Sequence, residues 1–239
     1  MKKIIFKPLT EQISITEKEP MAAYNFIPLW FKKIQLKRKD IDNTKYQNKY
    51  LYTIKKCTPI IDGLTSGYII STPQDIEVVN NENNKILSWK MRREQHELVG
   101  DLISTDDNFR INGMKIPEEY DETIWRIDIG YSVKTPKGYS ILITQPLNRF
   151  DSPFLVFSAV LDSDHEFTRI TIPFFIKKSF TGTIDIDTPI VQIIPFKRDN
   201  WIKILEKPFK DTELYGLVFN RNKTDGAYRK FSWRKKVYL

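Results

Sequence analysis

Histidine and cysteine are nearly absent from this chain. Its 239 residues hold one Cys, Cys57, and two His, His96 and His165. A single thiol excludes an internal disulfide framework and a thiolate zinc site. Two imidazoles leave little room for a histidine metal cluster. With only 9 Gly, neither a collagen-like nor a flexible linker chain is at hand. No window approaches 18 uncharged apolar residues, so no membrane span is expected. Lys7, Pro8 and Glu11 interrupt the opening segment before a signal-peptide apolar region can form. The phosphate loop, the dinucleotide fingerprint, the zinc-protease helix and the Gly-x-Ser-x-Gly elbow are all missing. The expectation is a protein that stays in the cell that makes it or is packaged there.

Hydrophobic residues make up 41%, too many for a disordered chain and enough for a real core. The formal charge of +8 is uneven. Residues 31–56 carry nine Lys/Arg against Asp40 and Asp42, and residues 221–239 carry seven against Asp225. The stretch 57–130 between them is acidic, with fourteen carboxylates against seven cations. Such basic segments bind phosphate or form solvated edge strands, where Lys guards against stray pairing.

Short runs rich in Ile, Val, Phe and Tyr, bounded by turn residues, predict strands over most of the chain. They are Ile54–Ile61, Ser66–Ser71, Ile76–Val79, Lys85–Met91, Trp125–Lys134, Tyr139–Thr144, Phe154–Leu161, Thr168–Phe175, Gly182–Ile186 and Ile190–Phe196. Helical rhythm is weak and confined to Gln95–Ile103, with Thr212–Asn220 readable as helix or strand. Many short strands joined by turns predict an all-β sandwich or barrel. An echo runs through them: Gly67-Tyr68 precedes Thr72-Pro73, and Gly130-Tyr131 precedes Thr135-Pro136 at the same spacing. The pair Trp30-Phe31 is expected to plug an N-terminal arm onto the core.

The most chemically suggestive stretch is Asp162-Ser163-Asp164-His165-Glu166, between two predicted strands. Alternate carboxylates there suit a hard cation such as magnesium, and a carboxylate beside a histidine suits a general base. Asp and Ser equally serve to cap turns through their own backbone. His96 sits in a charged stretch and reads as a surface residue. In the basic segments, aromatics alternate with cations: Tyr46, Tyr50 and Tyr52 in the first, and Tyr228, Phe231, Trp233 and Tyr238 in the last. Arg229, Lys230, Trp233, Arg234, Lys235 and Lys236 are the candidates for holding a nucleic-acid strand, by phosphate contact and base stacking.

Several stretches keep order and spacing with a known pattern. Ile27–Lys33, Cys57–Ile61 with Ser66–Tyr68, Thr135–Ser140, Gln145–Phe150, Ala159–His165 and Asp187–Arg198 together resemble an uncharacterised protein family of tailed phages, notably cyanophages, and of some bacteria. The resemblance covers most of residues 25–201 and implies a phage or phage-like origin. It supplies no activity. A second resemblance concerns fold. Val160–His165 is similar to the Val-Ile-Asp-x-Asp-Tyr motif of trimeric deoxyuridine triphosphate pyrophosphatases and deoxycytidine triphosphate deaminases. Pro189–Ile194 resembles their Ile-Ala-Gln-Leu-Ile strand, and Pro146–Arg149 falls at their Pro-Arg-Ser motif. That match implies a water-orienting role for Asp162, a phosphate contact for Arg149, and His165 in the place of a base-stacking Tyr. The sequence departs from the pattern in three places. Pro-Arg-Ser is replaced by Pro-Leu-Asn-Arg, the Asp-Ala-Gly motif has no counterpart, and a basic-aromatic tail stands where a Gly-rich arm would close over the triphosphate. Hydrolysis needs a metal on the phosphates and donors for the developing charge, so the architecture is expected to survive without the chemistry.

The expected fold is therefore an all-β, jelly-roll-like or β-clip distorted barrel at residues 54–200. An N-terminal arm with a basic segment (1–53) precedes it and a C-terminal basic-aromatic extension (201–239) follows. The leading functional expectation is a phage-encoded, non-catalytic binding or virion structural and assembly protein, with no cofactor. Its partners would be proteins, a homo-oligomer included, and it would act in the infected host cytoplasm or the virion, without a membrane. One alternative is a nucleotide-binding protein or divergent nucleotide hydrolase using magnesium, with Asp162, Asp164, His165 and Arg149 as the ligand-binding set and Asp162 and His165 as its catalytic pair. Another is a single-strand nucleic-acid binder using the tail.

Overall fold

A computed structural model describes residues 2–39, 50–81, 84–90, 99–216 and 227–239. Among them run the strands β1 (Ile5–Pro8), β2 (Met21–Ala22), β3 (Lys37–Lys39), β4 (Tyr50–Tyr52), β5 (Tyr68–Ser71), β6 (Ile76–Asn81), β7 (Asn84–Trp89), β8 (Ile103–Thr105), β9 (Trp125–Lys134), β10 (Tyr139–Thr144), β11 (Phe154–Val156), β12 (Ala159–Asp162), β13 (Thr168–Ile176), β14 (Gly182–Ile184) and β15 (Pro189–Lys197). Short helices accompany them, among them α1 (Glu11–Thr16), α2 (Leu29–Lys33) and α3 (Thr58–Thr65). None of the described helices is long and apolar enough to cross a membrane.

The fold is all-β, as expected. One five-stranded antiparallel sheet runs β1-β9-β13-β11, with β8 also on β9; a second runs β12-β10-β15-β5-β2. A three-stranded sheet, β14-β6-β7, and the ribbon β3-β4 complete it. The two large sheets face each other and remain separate, so the barrel is distorted and open. The core is filled from their inner faces: Ile127, Ile129 and Val133 of β9, Ile170, Ile172 and Phe174 of β13, Ile141 and Ile143 of β10, and Val191 and Ile193 of β15. Ile170, Ile172 and Phe174 are two apart, as a half-buried strand requires. Phe31 is buried, and its ring meets Trp30 edge-on at 5.6 Å.

Two strand expectations fail for physical reasons. Ile54–Ile61 is not a strand: Ile54–Lys56 form a 3-10 turn, and α3 begins at Thr58. Pro59 sits in the first helical turn, where its fixed φ and missing N–H do no harm. Phe154–Leu161 is not one strand either. β11 pairs with β13 in the first sheet, and β12 pairs with β10 in the second. The chain changes sheets at Phe157-Ser158, where the Phe157 N–H donates to the Pro173 carbonyl (3.1 Å) and the Ser158 and Thr144 hydroxyls share a 2.9 Å hydrogen bond. The helical rhythm of Gln95–Ile103 ends in β8, and its first part lies outside the described residues. Residues 211–216 are helical.

The Gly-Tyr…Thr-Pro echo is structural. Gly67 and Gly130 both adopt φ of +71°. Thr72 and Thr135 are both buried, and each pins a turn on a neighbouring segment. The Thr72 N–H donates to the Thr188 carbonyl (2.9 Å) and its Oγ1 to the Asp185 carbonyl (2.7 Å). The Thr135 N–H donates to the Ser163 carbonyl (2.9 Å) and its Oγ1 to the Tyr139 carbonyl (3.0 Å). With that proton committed, the Ser163 hydroxyl donates to Thr135 Oγ1 across 2.9 Å. Both pinned turns are acidic, Asp185–Asp187 and Asp162–Asp164.

Candidate functional site

The 162–166 bend joins β12 to β13, and its central residue is the buried one. Ser163 is 1% exposed and faces Thr135. Period-two alternation then sends Asp162 and Asp164 outward together, toward the start of β10 and the end of β15. There Arg198 lies between them. Asp162 Oδ1 accepts from Ser140 Oγ (2.5 Å) and pairs with Arg198 Nη1 (3.0 Å). Asp164 Oδ2 accepts the Gly138 N–H (2.8 Å) and pairs with Arg198 Nη2. The Arg198 N–H in turn donates to the Gly138 carbonyl (2.9 Å).

The electrostatics follow this clamp. The Ser140 hydroxyl, then the Arg198 guanidinium, hold the Asp162 carboxyl below its ordinary range. Arg198, then the Gly138 N–H, do the same for Asp164. Hydrogen bonds to Asp164 and Asp162 push Arg198 up. All three groups stay charged at neutral pH, and a carboxylate stabilised as an anion is a weak proton acceptor. His165 is exposed on the bend and stands outside the clamp. Among the described residues no three His, Cys, Asp or Glu side chains converge as a metal-ligand set.

Arg149 does not join this group. In the register of β10 and β12, Asp162 lies opposite Ser140. Thr144 ends β10 four residues on, about 14 Å away at the strand rise, and Arg149 lies beyond it. Its Nη2 donates to the Phe26 carbonyl. Burial pulls the guanidinium below its ordinary value, with Asp151 opposing. Asp162, Asp164 and Arg149 thus occupy opposite ends of one strand.

The fully buried Gln192 of β15 organises the Arg149 end. Its Oε1 accepts the Leu147 N–H (2.8 Å), and its Nε2 donates to the carbonyls of Gly63 (3.0 Å) and Ser66 (2.6 Å). One amide therefore fastens the 145–150 loop to the end of α3.

The tail candidates lie against their own chain. Tyr228–Ser232 form one π-helical turn. Trp233 Nε1 donates to both carboxylate oxygens of Asp62 (3.1 and 2.9 Å), and Lys236 Nζ pairs with the same group (2.5 Å). Tyr68 Oη donates to the Leu239 carbonyl (3.2 Å), and the Tyr68 and Tyr238 rings meet edge-on at 6.2 Å. Arg229, Lys230, Arg234 and Lys235 are exposed, with the Arg229 guanidinium 5.9 Å from the Trp233 ring centroid. In the first basic segment the Tyr52 ring carries Lys37 and Lys56 ammonium groups at 5.0 and 3.2 Å. His96 and Tyr46 lie outside the described residues.

Sequence reasoning missed three participants: Arg198, Ser140 and Asp62. Arg198 stands at the end of the apolar Pro189–Lys197 run, but its partners depend on strand order, which local pattern does not encode.

It also missed the most exposed feature. Past β15 the chain leaves the body, and residues 196–215 are exposed without interruption. This strap carries Trp201, Ile202, Ile204 and Leu205, which are 89%, 88%, 78% and 90% exposed.

No protein-family model matches the chain. No curated protein matches it either. Among solved structures it is similar to a point mutant of the Staphylococcus bacteriophage 80alpha dUTPase with dUpNHpp, at 9% identity over 87% of this chain and 99% of that one, with a TM-score of 0.36. It is also similar to a point mutant of the dUTPase from phage phi11 of S. aureus, whose description concerns coordination of a structural Mg(II) ion. There the identity is 11% over 87% of this chain and 97% of that one, again with a TM-score of 0.36. Likeness at this level carries no argument about the chemistry of this chain.

Proposed function

We propose that this protein is a non-catalytic, self-assembling binding protein of the kind used to build phage virions, with the 199–216 strap as its contact surface. The single observation that carries the reading is the exposure of Trp201, Ile202, Ile204 and Leu205 on a segment without regular secondary structure. Each such side chain gains roughly 1.5–3 kcal/mol on full burial. A run of four adjoining ones has the character of an interface anchor. The phage setting rests on the sequence motifs of residues 25–201. The engagement of Asp162 and Asp164 with Arg198, far from Arg149, supports a structural role for the bend over a hydrolytic one.

The strap makes an observable difference. Sedimentation velocity over a wide concentration range is expected to show an associated species. The double variant Trp201→Asp/Leu205→Asp should sediment as the 28.3 kDa monomer. Its far-UV circular dichroism should match the parent's, because neither side chain packs on its own body, while the parent alone should show a melting temperature that rises with protein concentration. A parent chain that stays monomeric throughout, or a variant that associates equally well, contradicts the reading.

A further inference from the structure

The outer face of the first sheet carries a basic and aromatic patch remote from the tail. β1 and β9 pair with Ile5 opposite Lys134 and Lys7 opposite Ser132. β13 pairs with β9 with Arg169 opposite Ser132. Continuing that register sets Phe167 beside Lys134. Two rows thus share one face: Ile5, Lys134 and Phe167, then Lys7, Ser132 and Arg169. The Phe167 ring is 39% exposed, and two ammonium groups approach it, Lys7 Nζ at 5.5 Å and Lys134 Nζ at 5.7 Å from its centroid. Toward the start of β1, Lys2 Nζ lies 4.1 Å from the Tyr139 ring centroid and donates to its hydroxyl (2.5 Å).

The charges in the patch are answered unequally. Asp128 pairs with Arg169 through Nη2 (2.5 Å) and accepts from its Nε (2.6 Å). Among the described residues, no carboxylate comes within ion-pair distance of Lys7 or Lys134. Two like charges are therefore held near one exposed ring, neither with a carboxylate in direct ion-pair contact among the described residues. An anion between them would relieve their repulsion. A flat π-face beside the anion site would accept a base.

We propose that the Lys7–Lys134–Phe167 face binds single-stranded nucleic acid, with phosphates on the two lysines and a base on the phenylalanine. The combination is what a single strand offers and a duplex does not, because paired bases keep their faces stacked inside the helix. The site lies on an open sheet face, which suits a continuous strand. It is independent of the strap, and it differs from the tail, whose Trp233 is held by Asp62.

Fluorescence anisotropy with a labelled oligothymidylate tests this on the full chain. Binding at low salt is expected, with affinity falling as salt rises. Phe167→Ala should weaken binding roughly tenfold, the order expected for one stacked base, and should leave the salt slope unchanged. Lys7→Gln/Lys134→Gln should reduce the slope of log K against log salt by about 1.4, from roughly 0.7 per phosphate lost. Arg234→Gln/Lys235→Gln in the tail should change neither. All of these side chains are surface groups, and unchanged melting temperatures will confirm that each variant folds. Absence of binding at low salt overturns the proposal. So does an unaltered slope in the Lys7/Lys134 variant, unaltered affinity in the Phe167 variant, or loss of binding in the tail variant alone.

Discussion

Gly67→Ala is expected to cost at least about 3 kcal/mol of folding stability, a large part of what a domain of this kind has. Gly67 precedes β5 with φ of +71°, a conformation that costs an L side chain roughly 1–2 kcal/mol. The larger effect is steric. A Cβ built there falls 2.0 Å from the Ile193 carbonyl oxygen and 2.9 Å from its carbon. Both obstacles are backbone atoms of β15, which runs through the middle of its sheet and pairs with β5 and β10. Nothing there can yield without opening the ladder between β15 and β5. Gly113 is the control. Its φ is +82°, but a Cβ at that position would meet no atom within 4 Å. Gly113→Ala should therefore carry the conformational cost alone. Urea titration of the two variants separates strain from collision, and similar midpoints would show that β5 and β15 are not packed as described.

Gln192→Leu is expected to cost about 3–5 kcal/mol although it keeps the side chain's bulk. The amide meets three backbone groups at once: the Leu147 N–H and the carbonyls of Gly63 and Ser66. Gln192 is 1% exposed, so a leucine there leaves those groups to find other partners, at about 1–3 kcal/mol for each one left buried and unpaired. The damage should be local as well as global. The end of α3 and the 145–150 loop lose their common anchor, so amide exchange at residues 63–66 and at Leu147 should quicken more than in β9. A Gln192→Leu protein with parental stability and exchange would show that the amide is not the fastener.

The strands that were plain in the sequence are those whose inward side chains repeat every second residue within one sheet. Trp125–Lys134 and Tyr139–Thr144 form strands with the expected bounds. Phe154–Leu161 misled because its apolar run continues through the change of sheet, with no Gly or Pro to mark the corner at Phe157-Ser158. Ile54–Ile61 misled because β-branched residues outweighed Pro59, whose place in a first helical turn was the better signal. The Gly67…Thr72 and Gly130…Thr135 echo carried more than turn chemistry, since it marks two buried threonines that each fasten an acidic turn. At the candidate site, Asp162 and Asp164 do come together, but their common partner Arg198 is thirty-four residues from Asp164 and is brought in by strand order. Arg149 is parted from them by the length of β10. The strap fell within the expected 201–239 extension, but that extension was read for its cations and aromatics, and nothing local in Trp201–Leu205 marks its apolar side chains as exposed.

If the 162–166 bend is a fastening and not a hydrolytic centre, it should ignore nucleotides. A thermal-shift and hydrolysis assay with deoxynucleoside triphosphates and magnesium, comparing the parent chain with Asp162→Asn, decides between the two. The expected result is no magnesium-dependent rise in melting temperature and no release of pyrophosphate or phosphate from either protein. A magnesium-dependent stabilisation with turnover in the parent, both lost in the Asp162 variant while it stays folded, would contradict it.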